Sequence, residues 1–177
     1  MLTQWKDNKP TQVLKQKIWA GKKGISIIEI LIVITIIGIT LTSLLGVAAF
    51  SLRVSTLIKE ATRANTLTQE TIEAVRNFRD GTTWNTDGLG TLSVGTDHPH
   101  YPKLDTTVDP PKWTLPEGTE TINGFTRKVI FTDVMRDVDD NIVETGGIND
   151  PNTKKATATV SWKDKKVEIV TYFTDWK

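Results

Sequence analysis

The sequence predicts an α+β protein in which a long N-terminal α-helix packs on a small antiparallel β-sheet head. Three observations lead to this fold class. An uncharged apolar run spans residues 30–52, an amphipathic pattern without proline continues to residue 80, and alternating strand-like segments fill the end of the chain. With 177 residues, the chain is long enough for one modest domain plus additional elements.

Charge is distributed unevenly along the chain. Residues 1–24 contain six lysines and one aspartate, a net charge of +5, whereas the remainder contains 16 basic and 20 acidic residues, a net charge of −4. Because basic residues beside a membrane span stay on the cytoplasmic side, the basic head predicts a cytoplasmic N-terminus. The sequence has no cysteine, which excludes disulfide bonds and thiolate chemistry.

The apolar run at residues 30–52 has the length of a membrane-spanning helix. About 20 apolar residues in a helix cross a bilayer core, and this run supplies 23. A buried helix of a globular protein normally shows a polar stripe, and this run has none. We therefore predict a membrane-embedded helix. The alternative, a fully buried core helix, would need more protein around it than this chain provides.

Glu29 stands immediately before the apolar run and needs an explanation. An unpaired carboxylate within lipid costs about 2.5–3.5 kcal/mol. Cleavage between Gly24 and Ile25 would create an α-amine one helical turn from Glu29, and this amine could also meet the Glu29 of a neighbouring copy. Charge pairing at low dielectric would then set the register of assembly. The alternative is that Glu29 lies at the lipid headgroups and stays solvated.

The segment KKGISIIEILIVITIIGI, residues 22–39, resembles the N-terminus of type IV pilins and type II secretion pseudopilins. In that family a basic leader ends in glycine, cleavage follows, and a glutamate is the fifth residue of the mature chain. Gly24, Ile25 and Glu29 match these positions. The resemblance implies that a prepilin peptidase cuts after Gly24 and methylates the amine of Ile25. It also implies that Glu29 neutralises the amine of an adjacent subunit in a filament.

The sequence also departs from the family pattern. Gly38 falls where the family often has glycine, but Gly46 stands where many pilins have proline, so a kink or unwound segment between them is allowed and not required. The first mature residue would be Ile25 instead of the usual Phe or Met. The missing cysteines exclude the disulfide-bounded loop of many pilins, and the leader is longer than in most major pilins. The resemblance therefore implies a minor pilin or pseudopilin.

The hydropathy pattern and the resemblance together divide the chain into a leader, a two-part helix and a head, like a stick with a globular end. The predicted parts are a leader at 1–24, a transmembrane and assembly half of the helix at 25–53, an amphipathic half at 54–80, and a head at 81–177 with a variable loop (81–120) and an antiparallel sheet (121–177).

The amphipathic half is predicted from apolar and small residues at three- and four-residue steps. These residues are Leu57, Ala61, Ala64, Thr68, Ile72, Val75 and Phe78. Opposite charges at helix-neighbour spacing, namely Glu60 with Arg63, Glu73 with Arg76, and Arg76 with Asp80, indicate an exposed face. Gly81 is a suitable helix end. We expect one helix from about Ile25 to Asp80.

The head is predicted to begin with an irregular loop, because residues 81–120 are rich in glycine and proline, with one short strand near Leu89 to Val94. Strand patterns follow at residues 125–136 and 156–162, and a turn at 163–166 leads to a last strand at 167–176. Ala156, Ala158, Val160 and Trp162 alternate onto one face. We expect an antiparallel sheet of three or four strands with its apolar face on the helix.

Two stretches contain potential metal ligands. Calcium takes six to eight oxygen ligands, and residues 133–150 offer several, including Asp137, Asp139, Asp140 and Asp150. However, the spacing of a calcium-binding hand is missing and these are common turn residues, so we prefer solvated turns and predict no cofactor. His98 and His100 could be two metal ligands, but we prefer an exposed loop here too.

The sequence contains no P-loop, dinucleotide fingerprint, HExxH pattern or nucleophile–base pair, so catalysis is not predicted. The net charge of −4 outside residues 1–24 argues against nucleic acid as a partner. The resemblance implies a prepilin peptidase, other pilin or pseudopilin subunits, and an inner-membrane assembly platform as partners, with the head outside the cytoplasm. Two alternatives remain: an uncut, signal-anchored extracytoplasmic binding module, and a secreted domain cut near Ala49.

Overall fold

The computed structural model describes residues 24–176, so the predicted leader lies outside the described residues except for Gly24. The chain divides into two compact units, residues 1–49 and residues 50–177. One 55-residue helix, α1 (Ile27–Gly81), contributes residues to both units. It begins two residues later and ends one residue later than predicted.

In the first unit, α1 exposes its apolar side chains. The backbone N–H groups of Glu29 and Ile30 donate to the carbonyl of Ser26, which starts the helix. None of the most apolar stretch is buried among residues 24–176, and the helix is long and apolar enough to cross a membrane. Such an exposed apolar surface is typical of a helix that lipid or other helices cover.

The hydroxyl groups within the apolar stretch are satisfied by the helix itself. Thr35 donates to the carbonyl of Leu31 at 2.8 Å, and Thr42 donates to that of Gly38 at 2.8 Å. Such bonds to the preceding turn reduce the cost of placing a hydroxyl in an apolar medium. These residues therefore do not contradict a membrane environment.

The second unit contains two antiparallel sheets. The first pairs β1 (Lys103–Asp105) with β2 (Lys112–Thr114). The second has five strands instead of the expected three or four, in the order β3-β4-β6-β7 with β5 beside β4. Its strands are β3 (Glu120–Ile122), β4 (Phe125–Arg136), β5 (Ile142–Val143), β6 (Ile148–Trp162) and β7 (Lys165–Thr174).

The short strand predicted near Leu89 to Val94 is wrong. This stretch forms a single 3₁₀ turn, Leu89–Thr91, and the side chain of Leu89 is buried. The chain folds closely around Trp84, since a Cβ at Gly90 would lie 2.7 Å from the carbonyl oxygen of that tryptophan. The indole of Trp84 donates to the carbonyl of Pro151 at 3.0 Å. This close turn cannot be read from strand propensity.

The core of the second unit lies between α1 and the five-stranded sheet. Ala64 and Leu67 pack with Val160 and Trp162 near one end of β6, and Val75 packs in a larger cluster. That cluster also contains Ile72, Phe78, Trp84, Leu89, Leu115, Val129, Phe131, Ala156, Ala158 and Phe173. The predicted inward face of β6 is confirmed, because Ala156, Ala158, Val160 and Trp162 are all buried.

The predicted helix stripe is correct from Ala64 to Phe78 and wrong at its start. Leu57 is 41% exposed, although its spacing matches the buried positions. The physical reason is the length of the sheet. Ala61 is the first stripe residue that packs against the small cluster around Trp162, so Leu57 has no strand to contact.

Candidate functional site

The peptide bond between Gly24 and Ile25 lies in exposed, non-helical backbone. Gly24 to Ser26 precede the first residue of α1, and Ile25 is 72% exposed. A Cβ placed on Gly24 would meet no atom within 4 Å, so nothing around this residue in the described chain requires glycine. Exposed segments of this kind are the usual sites of proteolytic cleavage.

Glu29 lies in the first turn of α1 and is exposed. A carboxylate in this position interacts favourably with the positive end of the helix dipole. Ser26 precedes it by three residues at the helix start, which is the spacing of a capping box. Sequence reasoning overlooked this pattern, although serine three residues before glutamate is its ordinary signal. The side-chain bonds of such a box are not formed among the described residues, where the N–H of Glu29 donates to the backbone carbonyl of Ser26 at 3.0 Å. The spacing and the helix dipole still give Glu29 a helix-capping interpretation beside the charge-pairing one.

The expected spacing of one helical turn between Ile25 and Glu29 is not formed within this chain. Ile25 lies before the helix, whose first i,i+4 bond joins the N–H of Ile30 to the carbonyl of Ser26. An α-amine at Ile25 would consequently not be held against the Glu29 of its own chain by helix geometry. Pairing with the Glu29 of a neighbouring copy is unaffected by this correction.

Gly38 and Gly46 lie within uninterrupted α-helix. A Cβ on either glycine would meet no atom within 4 Å, so close packing inside the described chain does not explain them. Glycine weakens a helix interior by about 1 kcal/mol relative to alanine. The predicted role of these glycines in helix flexibility stays a prediction.

The acidic segment after β4 is organised by its own hydrogen bonds. The carboxylate of Asp137 accepts bonds from the backbone N–H groups of Asn141 and Asp139 at 2.9 and 3.0 Å. The bonds from Asn141, backbone first and then side chain, lower the pKa of Asp137 below its usual value. A hydrogen bond from Thr153, followed by one from Arg136, lowers the pKa of Asp150. Both carboxyl groups are therefore ionised at neutral pH.

Two of the four residues named as possible calcium ligands, Asp140 and Asp150, contact Arg136. Nε of Arg136 lies 2.7 Å from Oδ2 of Asp150 and 3.6 Å from Oδ1 of Asp140, and its Nη1 donates to the carbonyl of Asp140 at 2.8 Å. The exposed Asp139 contributes only its backbone N–H, to Asp137. A divalent cation would have to displace the guanidinium group, so this donor set does not favour calcium. Among residues 24–176, no group of three His, Asp or Glu side chains could hold a metal ion.

The prediction of an exposed loop is wrong for His100 and correct for His98. His100 is buried, and its Nδ1 and Nε2 lie 3.0 and 3.1 Å from the carbonyl oxygens of Leu115 and Ser93. His98 is exposed, with Nδ1 2.7 Å from Oε1 of Glu117. The histidines thus contact different groups, and His100 serves to join three segments of the head.

No protein-family model, curated protein or solved structure matches this chain. The functional interpretation therefore depends on the residues and their geometry.

Proposed function

We propose that this chain is a structural subunit, a minor pilin or pseudopilin, of a type IV pilus-like or type II secretion-like filament. The observation that carries the proposal is a single arrangement at the N-terminus. An exposed Gly24–Ile25 bond precedes Glu29, and Glu29 lies in the first turn of a helix whose apolar side chains find no cover among the described residues. A subunit cut at this bond would present a new amine and a carboxylate at the end of an uncovered apolar helix.

In the proposed pathway, the subunit enters the membrane with its leader in the cytoplasm and its head outside. A prepilin peptidase cuts after Gly24 and methylates the amine of Ile25. The apolar part of α1 then leaves lipid and packs with the same part of other subunits at the cell surface or in the periplasm. The work of extraction comes from an assembly platform in the inner membrane and not from this chain.

Glu29 is proposed to pair with the Ile25 amine of an adjacent subunit. Within an apolar helix bundle, a carboxylate and an amine each lose the solvation that water provides, so each is costly unless paired. An incoming subunit would be favoured only in the register that brings the two charges together. The apolar helices would supply the attraction and the charge pair would supply the register.

Replacing Glu29 with glutamine separates charge pairing from helix capping. Glutamine serves as well as glutamate in a capping box but carries no charge. In a host with a prepilin peptidase and a filament machine, we expect Glu29→Gln to be inserted and cut normally. We expect the amount of this variant in sheared filaments to fall by at least about tenfold, because an unpaired amine would remain buried. Wild-type levels of E29Q in filaments would contradict the charge-pair role.

The alternative, an uncut signal-anchored binding module, predicts a different response to a change at Gly24. In the proposed function, Gly24→Val leaves the leader attached, whereas Gly38→Val, a matched change at another glycine with open surroundings, does not. If the chain is instead an uncut, signal-anchored module, both variants keep Met1 and neither loses the leader. Comparing the masses of these two variants in membranes distinguishes the functions.

A further inference from the structure

The apolar stripe of α1 continues beyond the end of the sheet. Val54, Leu57 and Ile58 lie before Ala61, the first stripe residue in contact with the core cluster. Leu57 and Ile58 are 41% and 60% exposed. We refer to the surface of Val54, Leu57 and Ile58 as the helix notch. All of it belongs to the second unit and to the amphipathic half of the helix, outside the apolar run.

Basic residues surround the helix notch. Residues 53–63 carry three cations and one carboxylate, a net charge of +2, and the β6–β7 turn at 163–166 carries three lysines and one aspartate, also +2. Nζ of Lys163 lies 2.6 Å from Oε1 of Glu60, which holds this turn beside the helix. These two segments together carry a net charge of +4, and Glu168, whose Oε2 lies 2.8 Å from Nζ of Lys166, reduces the net charge at this end of the second unit to +3. The exposed cations are Arg53, Lys59, Arg63, Lys163, Lys165 and Lys166.

The opposite end of the sheet has the opposite charge. In the β4–β6 pairing, Thr126 lies opposite Ser161 near the basic turn, whereas Arg136 lies opposite Ile148 at the other end. Residues 136–150 carry one arginine and five carboxylates, a net charge of −4. We refer to residues 137–148 as the acidic tip. Its apolar side chains Val138 and Ile148 are 97% and 80% exposed.

The two surfaces match in both apolar and charged character. Each places exposed aliphatic side chains among charges that are mostly of one sign, and the two net charges are opposite. Because they lie at opposite ends of one antiparallel sheet, a single copy cannot bring them together. A contact between them must join two copies head to tail, and such a heterologous contact repeats along an open chain.

We propose that the acidic tip of one copy docks into the helix notch of the next copy. Val138 and Ile148 cover Leu57 and Ile58, and the surrounding carboxylates face Arg53, Lys59 and Lys165. This inference rests on the proposed filament function, to which it adds the surface of contact between heads. The apolar contacts provide attraction, and the charges fix the orientation and exclude contacts between like ends.

Cysteine cross-linking tests the contact directly, since the natural chain has no cysteine. The full-length Ile58→Cys/Val138→Cys chain is expressed with a prepilin peptidase and a filament machine and is oxidised with copper phenanthroline. We expect a ladder of disulfide-linked multimers. The single variants cannot form a ladder through this contact. The matched pair Ile58→Cys/Leu104→Cys, with an exposed residue of the β1–β2 hairpin instead of the acidic tip, is expected to give none.

Charge reversal provides the second test. We expect Lys59→Glu/Lys165→Glu and Asp139→Lys/Glu144→Lys each to reduce the ladder by about tenfold, and the four changes together to restore it. The controls Asp97→Lys and Lys103→Glu change exposed charges elsewhere on the head and should leave the ladder unchanged. Restoration would exclude misfolding as the cause of the loss. Failure of the combined variant to recover would overturn the assignment of these charges.

The N-terminus and the filament fraction are measured in the same samples, which separates this inference from the proposed function. Cut chains that assemble without a disulfide between positions 58 and 138 of the double variant would overturn the docking and leave the filament function standing. A ladder among uncut membrane-bound chains would support the docking and overturn the filament function. If Ile58→Cys is shielded from a water-soluble maleimide by anionic vesicles and no ladder forms, the notch faces lipid and the docking is wrong.

Discussion

Nζ of Lys163 lies 2.6 Å from Oε1 of Glu60, and Nε1 of Trp162 lies 3.3 Å from Oε2 of the same carboxylate. The β6–β7 turn is thereby tied to α1 across 103 residues of sequence. The helix-neighbour spacing suggested Arg63 as the partner of Glu60, but the carboxylate turns toward the sheet instead. This contact fixes the end of the head at which the basic residues gather.

The bond to Lys163 makes the stability of the head depend on pH. It is the main cause that lowers the pKa of Glu60 below its usual value. Glu60 therefore contributes stability that is complete above the pKa of the unfolded chain, about 4.3, and that is lost as the pH falls through the lower folded-state value. In thermal denaturation of the full chain in detergent, the deficit of Glu60→Gln relative to wild type should be present at pH 7 and shrink below about pH 4.

Glu73→Gln is the control for this experiment, because Glu73 pairs only with Arg76 and both side chains are about half exposed. Exposed pairs of this kind contribute little. A deficit of Glu60→Gln that stays constant from pH 7 to pH 3 would contradict the assignment of the stability to an ionised carboxylate.

Arg127 is expected to be the most sensitive charged residue of the head. It is buried and lies 2.6 Å from Glu120 and 2.9 Å from Glu70, which connects β4 to β3 and to α1. Arg127→Ala removes the common partner of two carboxylates that are themselves partly exposed, and the loss of these charged hydrogen bonds should cost about 2 kcal/mol in the free energy of unfolding. Arg127→Lys keeps the positive charge but loses the planar guanidinium that contacts both carboxylates. Its free energy of unfolding should lie between those of wild type and Arg127→Ala. Urea denaturation of the full chain in detergent measures both.

Arg76→Ala removes an exposed arginine from the same helix and should change the free energy of unfolding by less than about 1 kcal/mol. Equal losses in Arg127→Ala and Arg76→Ala would mean that burial of the Arg127 guanidinium adds nothing to the fold.

His100 is expected to stabilise the loop that precedes β1. Replacing it with phenylalanine leaves the carbonyls of Leu115 and Ser93 without the ring nitrogens that face them. Only the bond to Leu115 is buried, and an unsatisfied buried group costs about 1–3 kcal/mol, so the free energy of unfolding should fall by at least about 1 kcal/mol. His98→Phe changes an exposed ring two residues away and should be nearly neutral. The prediction fails if the two variants are equally stable.

Gly38 and Gly46 provide a test of helix flexibility in assembly. Alanine at either position meets no neighbouring atom and should stabilise the helix by about 1 kcal/mol. If assembly requires the helix to bend or unwind, Gly38→Ala/Gly46→Ala should reach membranes normally but appear less in sheared filaments. Thr42→Ala, a change in the same helical stretch, serves as the control. Undiminished filaments of the double variant would exclude a need for glycine flexibility.

The features set by local sequence were predictable. The uncharged run from Ile30 to Leu52 predicts a helix without any tertiary information, and the alternation from Ala156 to Trp162 determines which face of β6 is buried. The features set by distant contacts were not. The burial of Leu89 depends on the turn around Trp84, and the burial of His100 depends on carbonyls of two other segments. Neither contact leaves a periodic signal in the sequence.

In the candidate site, too, the features set by local sequence were predictable and those set by distant contacts were not. Gly24, Ile25 and Glu29 are adjacent in sequence, so a local motif was enough to select them. The pairing of Arg136 with Asp150 joins residues on two strands, and the composition of residues 133–150, which predicts solvated turns, does not reveal it. The exposure of Leu57 follows from where the sheet ends, which the helical period does not encode.

The most direct test of the proposed function is the N-terminus of the chain itself. The full-length chain would be recovered from membranes of a host with an active prepilin peptidase and analysed by N-terminal sequencing and intact mass. The proposed function predicts a chain that begins at Ile25 and carries a methyl group on its α-amine. A chain that still begins at Met1 beside an active peptidase would contradict it, and the apolar helix would then be a simple membrane anchor.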